Sequence, residues 1–282
     1  MTCTHRRSTS RLPVGRPPPE RFSVAYELFS SAPRTRHHGL SDPGLCRTSN
    51  EDAFLAEERL GLFVVCDGVG GRVFGEVAAR AATRIVQGRL EMFIGSRGAS
   101  STPADMTAWI RAVIYSSMQD ASHAIYGFAQ ANTQFSGMST TASVVVITGE
   151  TAVVGHVGDS RVYHARGTVV RQLTDDHTLA NMRIKQGLIT PERARGRKSP
   201  IIRAIGLRAV VEVDIITASL MAGDRLLLCS DGLHEYLDCD TVLTDLFQLD
   251  VGEAALAAVC HANGCGGKDN ITALFVEVLG ES

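Results

Sequence analysis

Acidic residues recur where apolar runs end in this chain. Phe63–Cys66 (FVVC) runs into Asp67-Gly68, and Leu226–Ser230 (LLLCS) runs into Asp231-Gly232. Val153–Val157 (VVGHV) ends in Gly158-Asp159-Ser160, Asp269-Asn270 directly precedes the last apolar run, and Asn50-Glu51-Asp52 stands ahead of AFLA. Taken singly, an Asp-Gly pair is a hairpin turn signal. Jointly that reading weakens. If the runs are strands of one layered unit, their carboxylates converge on one rim, where like charges raise one another's pKa unless a cation lies among them. Oxygen-only ligands select hard ions, so Mg²⁺ or Mn²⁺ fits; zinc would want His or Cys at closer spacing, and neither HExxH nor CxxC is present. The glycines after Asp67 and Asp231 let backbone approach closely, so a main-chain carbonyl can join the ligands.

The elements that must position these residues follow from pattern. The chain has 282 residues, a formal net charge of −2 and 44% hydrophobic residues. That balance argues against wholesale nucleic-acid or membrane-surface binding. Residues 1–36 carry seven arginines, two glutamates and five of the nine prolines, which predicts a mobile basic arm with one short apolar piece at Phe22–Phe29. A folded unit is expected over 37–282. Seven cysteines without a CxxC pair, no secretory h-region and no apolar run near the roughly 18 residues of a membrane span predict a reduced, cytoplasmic protein. Leu62–Cys66 reads as a buried strand. Glu76–Arg89 reads as a helix with Val77, Ala81 and Ile85 beside Ala78 and Ala82 on its apolar face, and a second helix falls within Ala104–Phe128. SVVVIT and TAVVGHV, separated by Gly149-Glu150, form a hairpin, and RVYHAR and TVVRQL turn at Gly167. Mid-chain strands flanked by helices predict an α+β layered sandwich with antiparallel pairing.

RTSNEDAF (Arg47–Phe54), VVCDGVGG (Val64–Gly71), GMSTTASVVV (Gly137–Val146), GHVGDSRVY (Gly155–Tyr163), LTDDHTL (Leu173–Leu179), LLLCSDGL (Leu226–Leu233) and GGKDNIT (Gly266–Thr272) resemble, in order and spacing, the motif series of the protein phosphatase 2C family of metal-dependent serine/threonine phosphatases, in its bacterial form. The resemblance covers about residues 39 to 279. It implies a four-layer α-β-β-α sandwich, two antiparallel sheets face to face, with two metals at one rim. By motif position, Asp67 would bridge both metals, with the Gly68 carbonyl, Asp231 and Asp269 completing their shells. Glu51 and Asp52 would act through metal-bound waters, and Asp159 would help hold a third ion. Arg47 would grip the substrate phosphate, its planar guanidinium forking two hydrogen bonds to two oxygens. A pair of Mn²⁺ or Mg²⁺ ions would generate a bridging hydroxide for in-line attack on a phosphoserine or phosphothreonine, without a phosphoenzyme. The implied partner is a phosphoprotein, the counterpart of a serine/threonine kinase, and a monomer is expected. Val69 stands where eukaryotic relatives carry a histidine proposed as general acid, so a metal-bound water or the third-ion site would protonate the leaving group. Arg72 replaces a frequent His, and Ser139 a usual Gly.

Three rivals accompany this reading. Cys66 to Arg72 has the Cys-x5-Arg spacing of thiolate phosphatases, whose loop cradles phosphate while the thiolate attacks. A catalytically dead scaffold of the same fold would show a lost ligand position, whereas every position named above is filled. A dedicated phosphatase of one regulatory protein would share the site. Residues 176–208, which by resemblance form a flap over the site, hold Arg183, Lys185, Arg193, Arg195, Arg197, Lys198, Arg203 and Arg208 against Asp176 and Glu192. This is a solvated helix face or a surface that steers phosphopeptides. His156 and His164 read as packed residues, His177 as an organiser of the loop into the flap, and Ser139, Thr140 and Thr141 as hydroxyls that satisfy backbone at a strand entrance.

Overall fold

In the computed structural model, residues 34–69, 74–95, 102–194, 198–237 and 240–280 are described. The apolar piece at Phe22–Phe29, Arg72, Arg195 and Arg197 lie outside them. Strand alternation builds the core. In β3 (Leu62–Cys66), Phe63 and Val65 point to one face while Leu62, Val64 and Cys66 point to the other, and all five are fully buried. A strand buried on both faces belongs inside a layered stack.

The stack contains two five-stranded antiparallel sheets. One runs β10 (Asp214–Ser219), β7 (Thr151–Val157), β6 (Ala142–Thr148), β3, β2 (Ala53–Glu57); the other runs β1 (Thr35–Asp42), β12 (Ile271–Val278), β11 (Arg225–Cys229), β8 (Arg161–Arg166), β9 (Val169–Gln172). A short pair, β4 (Gly68–Val69) with β5 (Ser139–Thr140), lies beside the first. Phe63, Val65, Val145 and Val154 of the first sheet meet Leu226, Leu228, Leu274 and Val276 of the second in one apolar layer. On the outer face of the first sheet lie α1 (Gly75–Gly95) and α2 (Pro103–Ala131), through Ala78, Ala82, Val86, Leu90, Ile114 and Met118. On the outer face of the second lies α7 (Val251–Gly264), through Ala254, Ala255, Ala258 and Ala262. The remaining helices are α3 (Leu179–Lys185), α4 (Pro191–Ala194), α5 (Asp231–His234) and α6 (Asp240–Leu246).

Two expectations shift. The buried stripe of α1 is Ala78, Ala82, Val86 and Leu90, and Val77 is exposed. Small residues four apart let the helix lie close on the sheet, so the stripe turns toward the alanines. Thr35 and Arg36, read as the end of the arm, pair with Val278 and Glu277 in β1. The hairpin at Gly149-Glu150 joins β6 to β7 as expected, with Thr148 opposite Thr151.

Topology carries the acids to one rim. β3 and β11 face each other across the central layer, and their C-terminal ends lead into Asp67 and Asp231. β12 runs antiparallel to β11, so Asp269 before its start lies beside the end of β11, with Cys229 opposite Ala273. β2 starts opposite Cys66, which places Asp52 there, and β7, two strands from β3 and parallel to it, ends near Asp159 at the same edge.

Candidate active site

Backbone contacts lock the five acidic segments together. The Asp67 N–H donates to Thr141 Oγ1 (2.9 Å), and the Asp67 carbonyl accepts from Thr140 Oγ1 (2.8 Å) and the Thr141 N–H (2.8 Å). Thr141 Oγ1 in turn pairs with Ser160 Oγ at 2.7 Å, next to Asp159. These hydroxyls satisfy backbone, as their sequence position predicts. Asn270 grips the loop between β1 and β2 at three points: its Oδ1 accepts from the Glu51 N–H (2.8 Å), and its Nδ2 donates to the carbonyls of Pro43 (3.0 Å) and Ser49 (2.8 Å). His234 Nε2 lies 2.8 Å from the Asp159 carbonyl.

The glycines permit the approach. A Cβ on Gly232 would fall 2.0 Å from the Asn270 carbonyl oxygen, and one on Gly68 would fall 2.4 Å from the Gly75 carbonyl carbon and 2.7 Å from the Glu51 carbonyl oxygen. Backbone cannot yield as a side chain can. Gly232→Ala is therefore expected to push Asp231 and Asp269 apart, at a cost of about 1–3 kcal/mol typical of overpacking. Its checks are a lower melting temperature and a higher Mn²⁺ concentration for half-maximal stabilisation.

Asp52, Asp159 and Asp231 are buried. Asp67 keeps part of its surface open at the rim while protein encloses it on the other sides. Burial pushes Asp67 well above the usual carboxylate range, and the charges of Asp52, Asp231, Asp159 and Asp269 push it further. Asp52 is pushed up to about 7 by burial, against the pull of hydrogen bonds to its Oδ2 from Thr272 Oγ1 (2.6 Å) and Ser230 Oγ (2.8 Å). Asp159 is pushed up to about 7 by burial and by Asp231. Burial raises Glu51 as well. Asp269 goes the other way: burial opposes its charge, but Lys198 Nζ (2.9 Å) and Arg47 Nη2 (2.8 Å) donate to its Oδ2 and hold it below the usual range. Lys198 also stands 3.1 Å from Asp231 Oδ2.

This donor set fits hard divalent cations. Its ligand atoms are all oxygen, its carboxylates repel one another, and Asp52 Oδ1 and Asp159 Oδ1 are buried without a hydrogen-bond partner. Among the described residues no three acidic, histidine or cysteine side chains are already arranged as a closed metal shell; Lys198 and Arg47 hold two of the carboxylates. Asp67, Gly68, Asp52, Glu51, Asp159, Asp231 and Asp269 thus share one rim, with the exposed guanidinium of Arg47 beside them.

Sequence reasoning missed several residues. Ser230 and Thr272, the hydroxyls that hold Asp52, adjoin the Asp231 and Asn270 motifs and were open to view as flanking hydroxyls. Lys198 was read only as one charge of a basic stretch, since it lies 71 residues from Asp269 and reaches it only because residues 176–208 fold back: Leu179 N–H donates to the Pro200 carbonyl and Ile202 N–H to the His177 carbonyl. A cleft of about 1220 Å³ is bordered by Arg47, Lys198 and Asp269 on the site side and Asn181, Pro191 and Tyr236 beyond. The histidines behave as expected: His156 is buried against Ser143, His164 against Asp224, and His177 accepts from the Gly158 N–H.

A two-sheet sandwich with a rim of carboxylates and the Arg47 guanidinium beside them is the arrangement of a phosphatase fold whose donor set suits divalent cations. The chain belongs to the protein phosphatase 2C family, whose model matches residues 47–258. It is 33% identical over 244 residues to the serine/threonine phosphatase Stp of Listeria monocytogenes, covering 84% of this chain and 93% of that protein. Among solved structures, the Mycobacterium tuberculosis serine/threonine phosphatase PstP superposes with a TM-score of 0.76 at 30% identity, over 87% of this chain and 99% of that one. The catalytic domain of PstP in complex with two manganese ions gives a TM-score of 0.71 at 30% identity, with the same coverage.

Proposed function

We propose that this chain hydrolyses phosphoserine and phosphothreonine in proteins, using two divalent cations, Mn²⁺ or Mg²⁺, held at the carboxylate rim. The observation that carries this reading is the meeting of Asp52, Asp67, Asp159, Asp231 and Asp269, from five separate segments, around buried unpartnered oxygens and beside Arg47. The manganese pair in the PstP catalytic domain supports it. When bound, such ions supply Lewis acidity and a hydroxide nucleophile near neutral pH.

The chain's own residues position and neutralise. Asp67, the Gly68 carbonyl, Asp231 and Asp269 would hold the cations, Glu51 and Asp52 would act through intervening waters, and Asp159 would help hold a third ion. Ser230 and Thr272 orient Asp52, and Thr140 and Thr141 fix the backbone of Asp67. Arg47 turns from Asp269 to two phosphate oxygens, and the peptide flanking the phosphorylated residue lies in the cleft beneath the flap. No protein nucleophile is needed. Cys66 is fully buried in the helix-facing layer with its thiol pushed up to about 12 by burial, which removes the thiolate rival. The substrates are products of serine/threonine kinases. Among the described residues no helix is long and apolar enough to cross a membrane.

Arg47→Ala is expected to raise KM for a phosphothreonine peptide about tenfold to a hundredfold, the loss of a charge-assisted pair of hydrogen bonds, with a smaller change in kcat. Steady-state kinetics at saturating Mn²⁺ checks it. The function itself is tested by phosphothreonine-peptide hydrolysis with wild type and Asp231→Asn: activity only in the wild type supports the enzyme, and none in either supports a dead scaffold.

A further inference from the structure

Two exposed thiols stand next to the site and take no part in the chemistry above. Cys46 is peptide-bonded to Arg47, and Cys265 closes α7 four residues before Asp269. Both are free and exposed, whereas Cys66 and Cys229 are buried. The segments that carry them are joined by backbone: the N–H groups of Leu45 and Cys46 both donate to the Gly267 carbonyl, at 2.7 and 3.2 Å. Cys46 Sγ faces the carbonyl of Gly266, the residue bonded to Cys265, at 3.8 Å. Cys265 Sγ lies 3.8 Å from His261 Nε2 on the same exposed surface. The packing leaves no gap between the segments, because a Cβ on Gly44 would fall 2.8 Å from the Gly267 carbonyl oxygen.

We propose that Cys46 and Cys265 are a reversible oxidation site, forming a disulfide that ties the Arg47 segment to the loop bearing Asp269. The regulatory consequence rests on the reading of Arg47 as the phosphate-binding residue; the bridge itself does not. A disulfide needs Cα atoms about 5.5–6 Å apart, so the bridge requires a local rotation within one of two segments that backbone hydrogen bonds already hold together. The oxidant is a peroxide. One thiolate attacks a peroxide oxygen, so that an S–O bond forms, the O–O bond breaks and hydroxide leaves as water after protonation; sulfur loses two electrons and the peroxide gains them. The second thiol then attacks the sulfenic sulfur, forming S–S and expelling a second water that carries its proton. Arg47 already pairs with Asp269 on the tethered loop. The bridge holds the guanidinium there and away from substrate phosphate.

The test uses the full chain, reduced and then treated with hydrogen peroxide, alkylated without reductant and mapped by mass spectrometry, with kinetics on a phosphothreonine peptide in parallel. The expected result is loss of two hydrogens, a peptide linking Cys46 to Cys265, and a KM about tenfold higher that dithiothreitol restores. Cys46→Ser and Cys265→Ser should each keep the reduced wild-type KM through peroxide treatment, while Cys260→Ser should respond as wild type. Absence of the Cys46–Cys265 peptide overturns the proposal, as does its formation with KM unchanged. Should the reduced protein hydrolyse no phosphopeptide, the phosphatase reading fails, and the peptide map alone then decides the bridge.

Discussion

Asp67→Asn is expected to lose phosphatase activity about a thousandfold in kcat while raising the melting temperature of the metal-free protein. The first effect follows from the proposed place of Asp67 among the residues that would hold the cations, a role that would supply several kcal/mol of charge positioning, and about 1.4 kcal/mol is tenfold in rate. The second follows from the opposite sign of the same charge without cations. Burial and four neighbouring carboxylates raise Asp67 well above the usual range, so its ionised form strains the folded state at neutral pH. An amide of equal shape removes that repulsion. Thermal unfolding in chelator should therefore show the variant several degrees above wild type, and Mn²⁺ should stabilise wild type but barely shift the variant. A variant destabilised in chelator would show that Asp67 is held by structural partners rather than opposed by like charges.

Asp159→Asn separates the same repulsion by pH. Asp159 titrates at about 7 in the folded protein, above the ordinary carboxylate value. The folded state therefore holds a proton between about pH 4 and 7 that the unfolded state has released. Its contribution to stability is fully present below the unfolded pKa and is lost as pH rises through the folded one. The shift corresponds to a penalty on the order of a few kcal/mol at neutral pH. His156 and His234, depressed to about 4 by burial, give an opposing slope over the same window, so the wild-type curve alone is a mixture. The difference between Asp159→Asn and wild type cancels them. In chelator that difference should be near zero at pH 4 and grow to several degrees by about pH 7.5. A difference that is constant with pH would contradict the raised titration.

Much of this arrangement was legible because the acids sit at strand termini. A carboxylate that directly follows a continuous apolar run such as Leu62–Cys66 must emerge at the sheet's rim, and antiparallel pairing then decides which rim. Asp67 and Asp231 needed only that argument, and Asp269, which precedes its strand, needed in addition that this strand run antiparallel to the one before Asp231. Local pattern was less able to place the buried face of α1, since Ala78, Ala81 and Ala82 are equally apolar and only the sheet beneath selects Ala78 and Ala82. Long-range contacts were beyond pattern altogether. Lys198 reads as one charge in a basic stretch, and its place on Asp231 and Asp269 depends on the backbone hydrogen bonds at Leu179 and Ile202. The hold of Ser230 and Thr272 on Asp52 likewise joins residues 178 and 220 positions apart.

The most direct test is hydrolysis of a phosphothreonine peptide by wild type stripped with chelator and then titrated with Mn²⁺. The carboxylate rim predicts no turnover in the stripped protein and a saturable return of activity that Asp231→Asn does not share. Turnover that survives complete chelation would contradict it.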